Sequence, residues 1–166
     1  MIRHWMGVFG LAWLGATGAG GAWAATLPAT QEGLWEVRVQ TTTKPANTRR
    51  TTLYKECRDH AFDQAAGELW SHVQGCTAQT DALGGDTYSV HTRCESRGTV
   101  ITTRGTLRYT GTAARRIQNQ VTYAPPISGK TGVVTVTDEK YVGACPSTLR
   151  PGDRIGSDGT IQRRGG

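Results

Sequence analysis

Apolar and polar residues alternate along most of this chain with a period of two. From Gly33 to Thr43, Trp35, Val37 and Val39 fall on one side, and Glu36, Arg38 and Gln40 on the other. That alternation, with β-branched residues, predicts a half-buried strand. Lys44-Pro45-Ala46-Asn47 reads as a turn. A second strand follows over Arg49 to Glu56, with Leu53 and Tyr54 its only large apolar residues. The period then changes. Asp59 is placed to cap a helix over Asp59 to Trp70, whose Phe62, Ala66, Leu69 and Trp70 share one stripe. Gly67 shortens or frays it.

Alternation returns after Gly75. Cys76 to Leu83 ends at the turn Gly84-Gly85-Asp86, and Tyr88, Val90, Thr92 and Cys94 share a face of the next strand. Beyond Arg97-Gly98, the stretch Thr99 to Thr110 puts Ile101, Thr103, Gly105, Leu107 and Tyr109 together. After a turn at Gly111 to Ala114, Ile117, Asn119, Val121 and Tyr123 line one face, with Arg116, Gln118, Gln120 and Thr122 opposite. A loop with Pro125-Pro126 and Gly129-Lys130 precedes the last strong strand, Gly132 to Val142. From Cys145 onward, proline, glycine and charge predict an irregular tail. The fold class is therefore mainly β: an antiparallel meander of about seven strands with one short helix, forming a curled sheet or a barrel.

The first residues follow a different logic. Arg3 and His4 precede a short apolar stretch that exits through small residues to Ala22-Trp23-Ala24, with no acid before Glu32. This is the layout of a secretory signal peptide over residues 1–24, cleaved at Ala24 or Ala25. The stretch is too short and glycine-rich to anchor the chain, since a spanning helix takes roughly 20 apolar residues. Residues 25–166 then form a single β-rich domain, periplasmic or secreted, and the protein is not expected to span a membrane. Its core is thin in leucine and isoleucine, which calls for cross-links. Cys57, Cys76, Cys94 and Cys145 all lie in this part. An oxidising compartment favours two disulfides over a zinc site, and no ligand spacing for zinc occurs. Sequence alone leaves three pairings open. The expected pairing is local, Cys57 with Cys76 across the helix and Cys94 with Cys145.

Candidate chemistry changes the picture little. His60, His72 and His91 sit on separate elements, and no serine stands in a nucleophile elbow. Asp138-Glu139, the one adjacent acid pair in a strand, points to opposite faces. The glycine- and aspartate-rich stretch 152–159 lacks a closing glutamate for a calcium loop. No catalytic residue, metal site or cofactor is therefore expected. The chain carries a formal net charge of +6, spread through pairs such as Arg49-Arg50, Arg115-Arg116 and Arg163-Arg164. Export argues against nucleic acid, whereas a basic face suits contact with anionic lipid headgroups or acidic glycans.

Several pieces together resemble a known family. They are Gly33-Leu34-Trp35-Glu36 soon after the leader, Cys57 with Asp59 and then Cys76, and Tyr88 leading to Cys94 and Thr102-Thr103-x-Gly105. Tyr123-Ala124-Pro125-Pro126-Ile127-Ser128-Gly129 and Cys145-Pro146 with Pro151-Gly152-Asp153 complete the set. The chain resembles the DUF3617 family of bacterial exported proteins. It departs from that pattern at Glu32, where proline is usual, and at Tyr141, where tryptophan is common. The resemblance implies an exported compartment and this fold, and it supplies no reaction.

Three readings of function follow. The first is a non-enzymatic binding or accessory protein of the envelope, with an apolar ligand or an envelope protein held against Trp35, Leu107, Tyr109 and Tyr123. The second is a small envelope hydrolase. The third is a structural protein that pairs through a strand edge.

Overall fold

The architecture comes from a computed structural model, which describes residues 25–68 and 75–164. The expected leader, Leu69 and Trp70 of the expected helix, and Ser71 and His72 after it lie outside the described residues. Among the described residues, nine strands form one antiparallel sheet: β1 (Gly33–Lys44), β2 (Thr48–Arg58), β3 (Cys76–Gly84), β4 (Thr87–Ser96), β5 (Thr99–Thr110), β6 (Ala114–Ile127), β7 (Lys130–Gly143), β8 (Arg154–Gly156) and β9 (Ile161–Gln162). One helix, α1 (His60–Glu68), follows β2. Its start is fixed by Asp59, whose Oδ1 accepts the Phe62 amide at 2.7 Å, and by Glu32, which accepts the His60 amide at 3.0 Å.

The strand order is β3-β4-β5-β6-β7-β1-β2-β8-β9. Strands β3 to β7 are the expected meander. The β1–β2 hairpin lies along the far side of β7, so β7 and β1 pair although they bracket the chain. The sheet ends in β3 and β9 and does not close into a barrel.

The pleat divides the sheet into two faces. The helix face carries Trp35 and Val37 of β1, Glu56 and Arg58 of β2, Glu139 and Tyr141 of β7, and Arg115, Ile117 and Val121 of β6. Leu107, Tyr109, Ile101 and Tyr88 continue it across β5 and β4. The opposite, open face carries Arg38, Arg116, Arg108 and Arg104. The core is small and gathers at the helix end: Trp35, Val37, Cys57, Tyr109 and Leu149 are buried. Trp35 is pinned there by donating its indole N–H to the Gln31 carbonyl at 2.8 Å and packs edge-on to Tyr141, ring centroids 6.2 Å apart. Gly33 starts β1 at φ +138, where a Cβ would meet the Gly143 carbonyl oxygen at 2.5 Å. Only glycine fits that close approach of β1 to β7.

Two expectations are corrected. The tail after Cys145 is not irregular throughout, because it contributes β8 and β9. Asp153, only 2% exposed, organises it. Its carboxylate accepts the Arg150 amide at 3.0 Å, the Arg163 Nη1 at 2.8 Å and the Arg164 amide at 3.2 Å. Two backbone amides and one guanidinium, that of Arg163, are thus tied to one buried acid. The disulfides also pair differently: Cys57 with Cys145, and Cys76 with Cys94. Cys76 and Cys94 face each other directly in the β3–β4 ladder. Cys57 and the end of β7 flank opposite sides of Leu34 on β1, so the chain leaving Gly143 crosses that strand to reach Cys57. The local pairing assumed that the two ends of the helical stretch meet. Insertion of β1 between β2 and β7 sets the geometry instead.

Candidate functional site

Burial falls away in steps along the helix face. At the level nearest α1, Val37, Glu139 and Tyr109 are buried. One pleat further, Val39, Thr137, Ile117, Leu107 and Tyr88 are only half-buried. A polar band of Thr41, Thr135, Asn119 and Gly105 comes next. A Cβ on Gly105 would collide with the Asn119 side-chain oxygen at 2.0 Å, so the glycine lets that amide lie across the sheet. Beyond it, Val133, Val121, Ile101 and Tyr123 form a second half-buried apolar stretch. The face thus holds two apolar bands separated by a hydrogen-bonding one.

The helix end of the face is a charge network. Glu139 is 6% exposed and accepts both terminal nitrogens of Arg58, at 2.7 and 3.2 Å. It also accepts the Arg115 Nε. Arg58 Nε donates to Glu56 at 2.8 Å, and Arg154 Nε donates to the other Glu56 oxygen at 2.7 Å. Arg115 reaches Asp63 of α1 at 3.9 Å, and Thr30 donates its hydroxyl to Asp63 at 2.6 Å. Three guanidiniums therefore meet three carboxylates. Bidentate geometry and shared acceptors are what make such burial tolerable. Burial alone pushes the Glu139 carboxyl up, but the Arg58 hydrogen bond and the Arg115 charge outweigh it and hold it below the usual carboxylate range. Burial pushes the Tyr109 phenol up, against the Arg115 charge. The Arg58 guanidinium is held above its ordinary value: desolvation opposes this, but Glu139 prevails.

A pH dependence follows. A carboxylate with a lowered folded pKa adds stability that is complete above its unfolded pKa, about 4.3 for Glu, and lost as pH falls through the folded value. The thermal midpoint should hold from neutrality to about pH 5 and drop below about pH 4. Thermal unfolding followed by circular dichroism across that range checks this. A midpoint that rises on acidification would contradict it.

A profile for a protein family of unknown function (DUF3617) matches residues 30–145. The chain belongs to the DUF3617 family. No curated protein matches it. The DUF3617 match runs from the buried Thr30 to Cys145, and so takes in strands β1 to β7 and all four cysteines.

Within this DUF3617 fold, the four residues expected to face a ligand share the helix face but differ in access. Trp35 and Tyr109 are buried, at 0% and 5% exposure, whereas Leu107 and Tyr123 are half-buried. His60 and His91 do not converge. His60 is exposed at the start of α1, its Nδ1 3.4 Å from Glu32 and its Nε2 3.0 Å from the Thr30 carbonyl. His91 is exposed on the open face, and His72 lies outside the described residues. Among the described residues no group of three or more His, Cys, Asp or Glu is placed to hold a metal ion. Among them, too, no helix is long and apolar enough to cross a membrane.

Sequence reasoning did not single out Arg58 and Arg115 as partners of Glu139, or Glu56 as a partner of Arg58. The signal was partly present. Alternation separates Asp138 from Glu139 and Arg116 from Arg115, sending Glu139 and Arg115 to the helix face together. Asp138 and Arg116 pair at 2.7 Å on the open face. That Arg58 joins them depends on the non-local β1–β7 pairing.

Proposed function

We propose that this DUF3617 protein is exported through the leader ending near Ala24, resides in the periplasm or outside the cell, and acts as a non-enzymatic binding or accessory protein. Its helix face would receive an apolar or amphiphilic ligand, or an apolar segment of an envelope protein. The observation that carries this reading is the pair of half-buried apolar bands, Ile117 with Leu107 and Val121 with Tyr123, on a sheet that stays open. Large apolar side chains lined up on one accessible face are how binding surfaces for apolar ligands are built. The Asn119 amide between them supplies a polar anchor within that surface. Two disulfides suit an oxidising compartment, and the leader supplies the route. Binding is favoured over hydrolysis because His60 is exposed and directs its Nε2 at a backbone carbonyl, with no nucleophile paired to it among the described residues.

N-phenyl-1-naphthylamine, an apolar fluorophore, tests the surface. The purified protein should raise its emission, and the variant Leu107→Ser with Ile117→Ser should lose most of that rise while keeping its β circular dichroism. A dye response unchanged in the variant would refute the assignment. Cell fractionation with N-terminal sequencing tests the route: protein beginning at Ala25 or Thr26 in the periplasmic fraction is expected, and intact Met1 there would contradict it.

A further inference from the structure

The face opposite α1 has a different character. Its strand positions carry Arg38, Arg49, Lys55 and Lys140 toward the β2 side, and Arg93, Arg104, Arg108 and Arg116 toward the β3 side. All are exposed. The acids on the same face are Glu36, Asp81, Glu95 and Asp138. Among the described residues, the only ion pair on this face joins Arg116 to Asp138. Arg108 and Arg116 stand directly opposite each other in the β5–β6 ladder. Like charges at that spacing work against the sheet, and although Asp138 offsets Arg116, fold stability does not account for Arg108, which stands opposite only Thr87 and Arg116. A partner that brings negative charge to the face does.

The surface between the cations narrows the partner. A cleft of about 420 Å³ opens there over Val134 and Val136, bordered by Arg104, Thr106, Gln118 and Gln120. Amide and hydroxyl side chains beside guanidiniums suit a ligand that offers hydroxyls and acidic groups together. By the strand register this face carries no Trp, Tyr or Phe, the residues that seat a protein in a lipid interface. We infer that the open face binds an acidic polysaccharide, its carboxylate or sulfate groups against the Arg93–Arg104–Arg108 side and its hydroxyls in the Gln118–Gln120 cleft. This is independent of the apolar ligand on the other face. Export places such glycans within reach, but the binding itself is measured on purified protein.

The test compares two triple variants that lose the same charge. Arg93→Gln, Arg104→Gln and Arg108→Gln strip the face. Arg50→Gln, Arg150→Gln and Arg164→Gln strip exposed cations elsewhere. Binding to polygalacturonate, dextran sulfate and neutral dextran is read at about 0.15 M salt, where exposed charges are already screened beyond roughly 8 Å. Both acidic polymers should bind and neutral dextran should not. The face variant should bind about tenfold more weakly, and the control variant should change by less than about threefold. Equal loss in both variants would reduce the effect to net charge and overturn the site. Absence of binding to either acidic polymer would overturn it too. Stronger binding to phosphatidylglycerol vesicles or to single-stranded DNA, lost in the face variant, would keep the face and overturn the glycan.

Discussion

Glu139→Gln should lower the stability of the fold by about 3–5 kcal/mol, because it leaves two guanidiniums at the helix end without their shared counter-charge. Arg58 and Glu139 are each 5% exposed at the side chain, and Arg115 is 16% exposed. Water cannot take over the lost interaction at such burial. The neighbouring pair gives an internal reference. Arg116 and Asp138 are 52% and 41% exposed, so Asp138→Asn should cost at most about 1 kcal/mol. Urea unfolding of both variants decides the matter. Equal costs would mean that the network is worth no more than a surface pair. The acid sensitivity described above should also weaken in Glu139→Gln, since the variant has no group there to protonate.

Loss of the Cys57–Cys145 disulfide should cost more than loss of Cys76–Cys94. The first closes a loop of sequence separation 88, the second one of 18. Chain entropy alone gives about 4.6 kcal/mol for the long loop and about 3.2 kcal/mol for the short one, within the 2–5 kcal/mol typical of small secreted domains. The long bridge also joins the tail to the core. Next to it, Gly152 donates its amide to the Cys57 carbonyl at 2.7 Å, and Cys57 donates to the Asp153 carbonyl at 3.1 Å. Cys57→Ser with Cys145→Ser should therefore expose the β8–β9 segment to protease, whereas Cys76→Ser with Cys94→Ser should leave it protected. Limited proteolysis of the two variants separates these outcomes, and a tail cleaved equally in both would contradict the account.

The local elements of this fold are legible because local rules dominate them. Period-two alternation through Trp35, Val37 and Val39, or Ile117, Val121 and Tyr123, needs only the pleat to be read. Asp59 is recognisable as a cap because its own side chain satisfies the helix start. What depends on strand order is not legible in the same way. The β1–β7 pairing joins the two ends of the domain, and it decides which cysteines meet and which arginines share Glu139. The tail follows a related rule: its order rests on the buried Asp153, which gathers the Arg150 and Arg164 amides and the Arg163 guanidinium, and no local pattern marks that acid as buried. Of the residues expected to face a ligand, alternation placed all four on one face. It did not reveal that Trp35 and Tyr109 would be buried while Leu107 and Tyr123 stay partly accessible.

Amide chemical-shift mapping of the isotope-labelled protein, titrated with N-phenyl-1-naphthylamine, tests the binding-surface reading most directly. The account predicts saturable shifts concentrated on β4, β5 and β6 around Leu107, Ile117, Val121 and Tyr123, with little change at Arg38 or Lys55. Shifts that are absent, or that gather on the open face or in the tail, would contradict it.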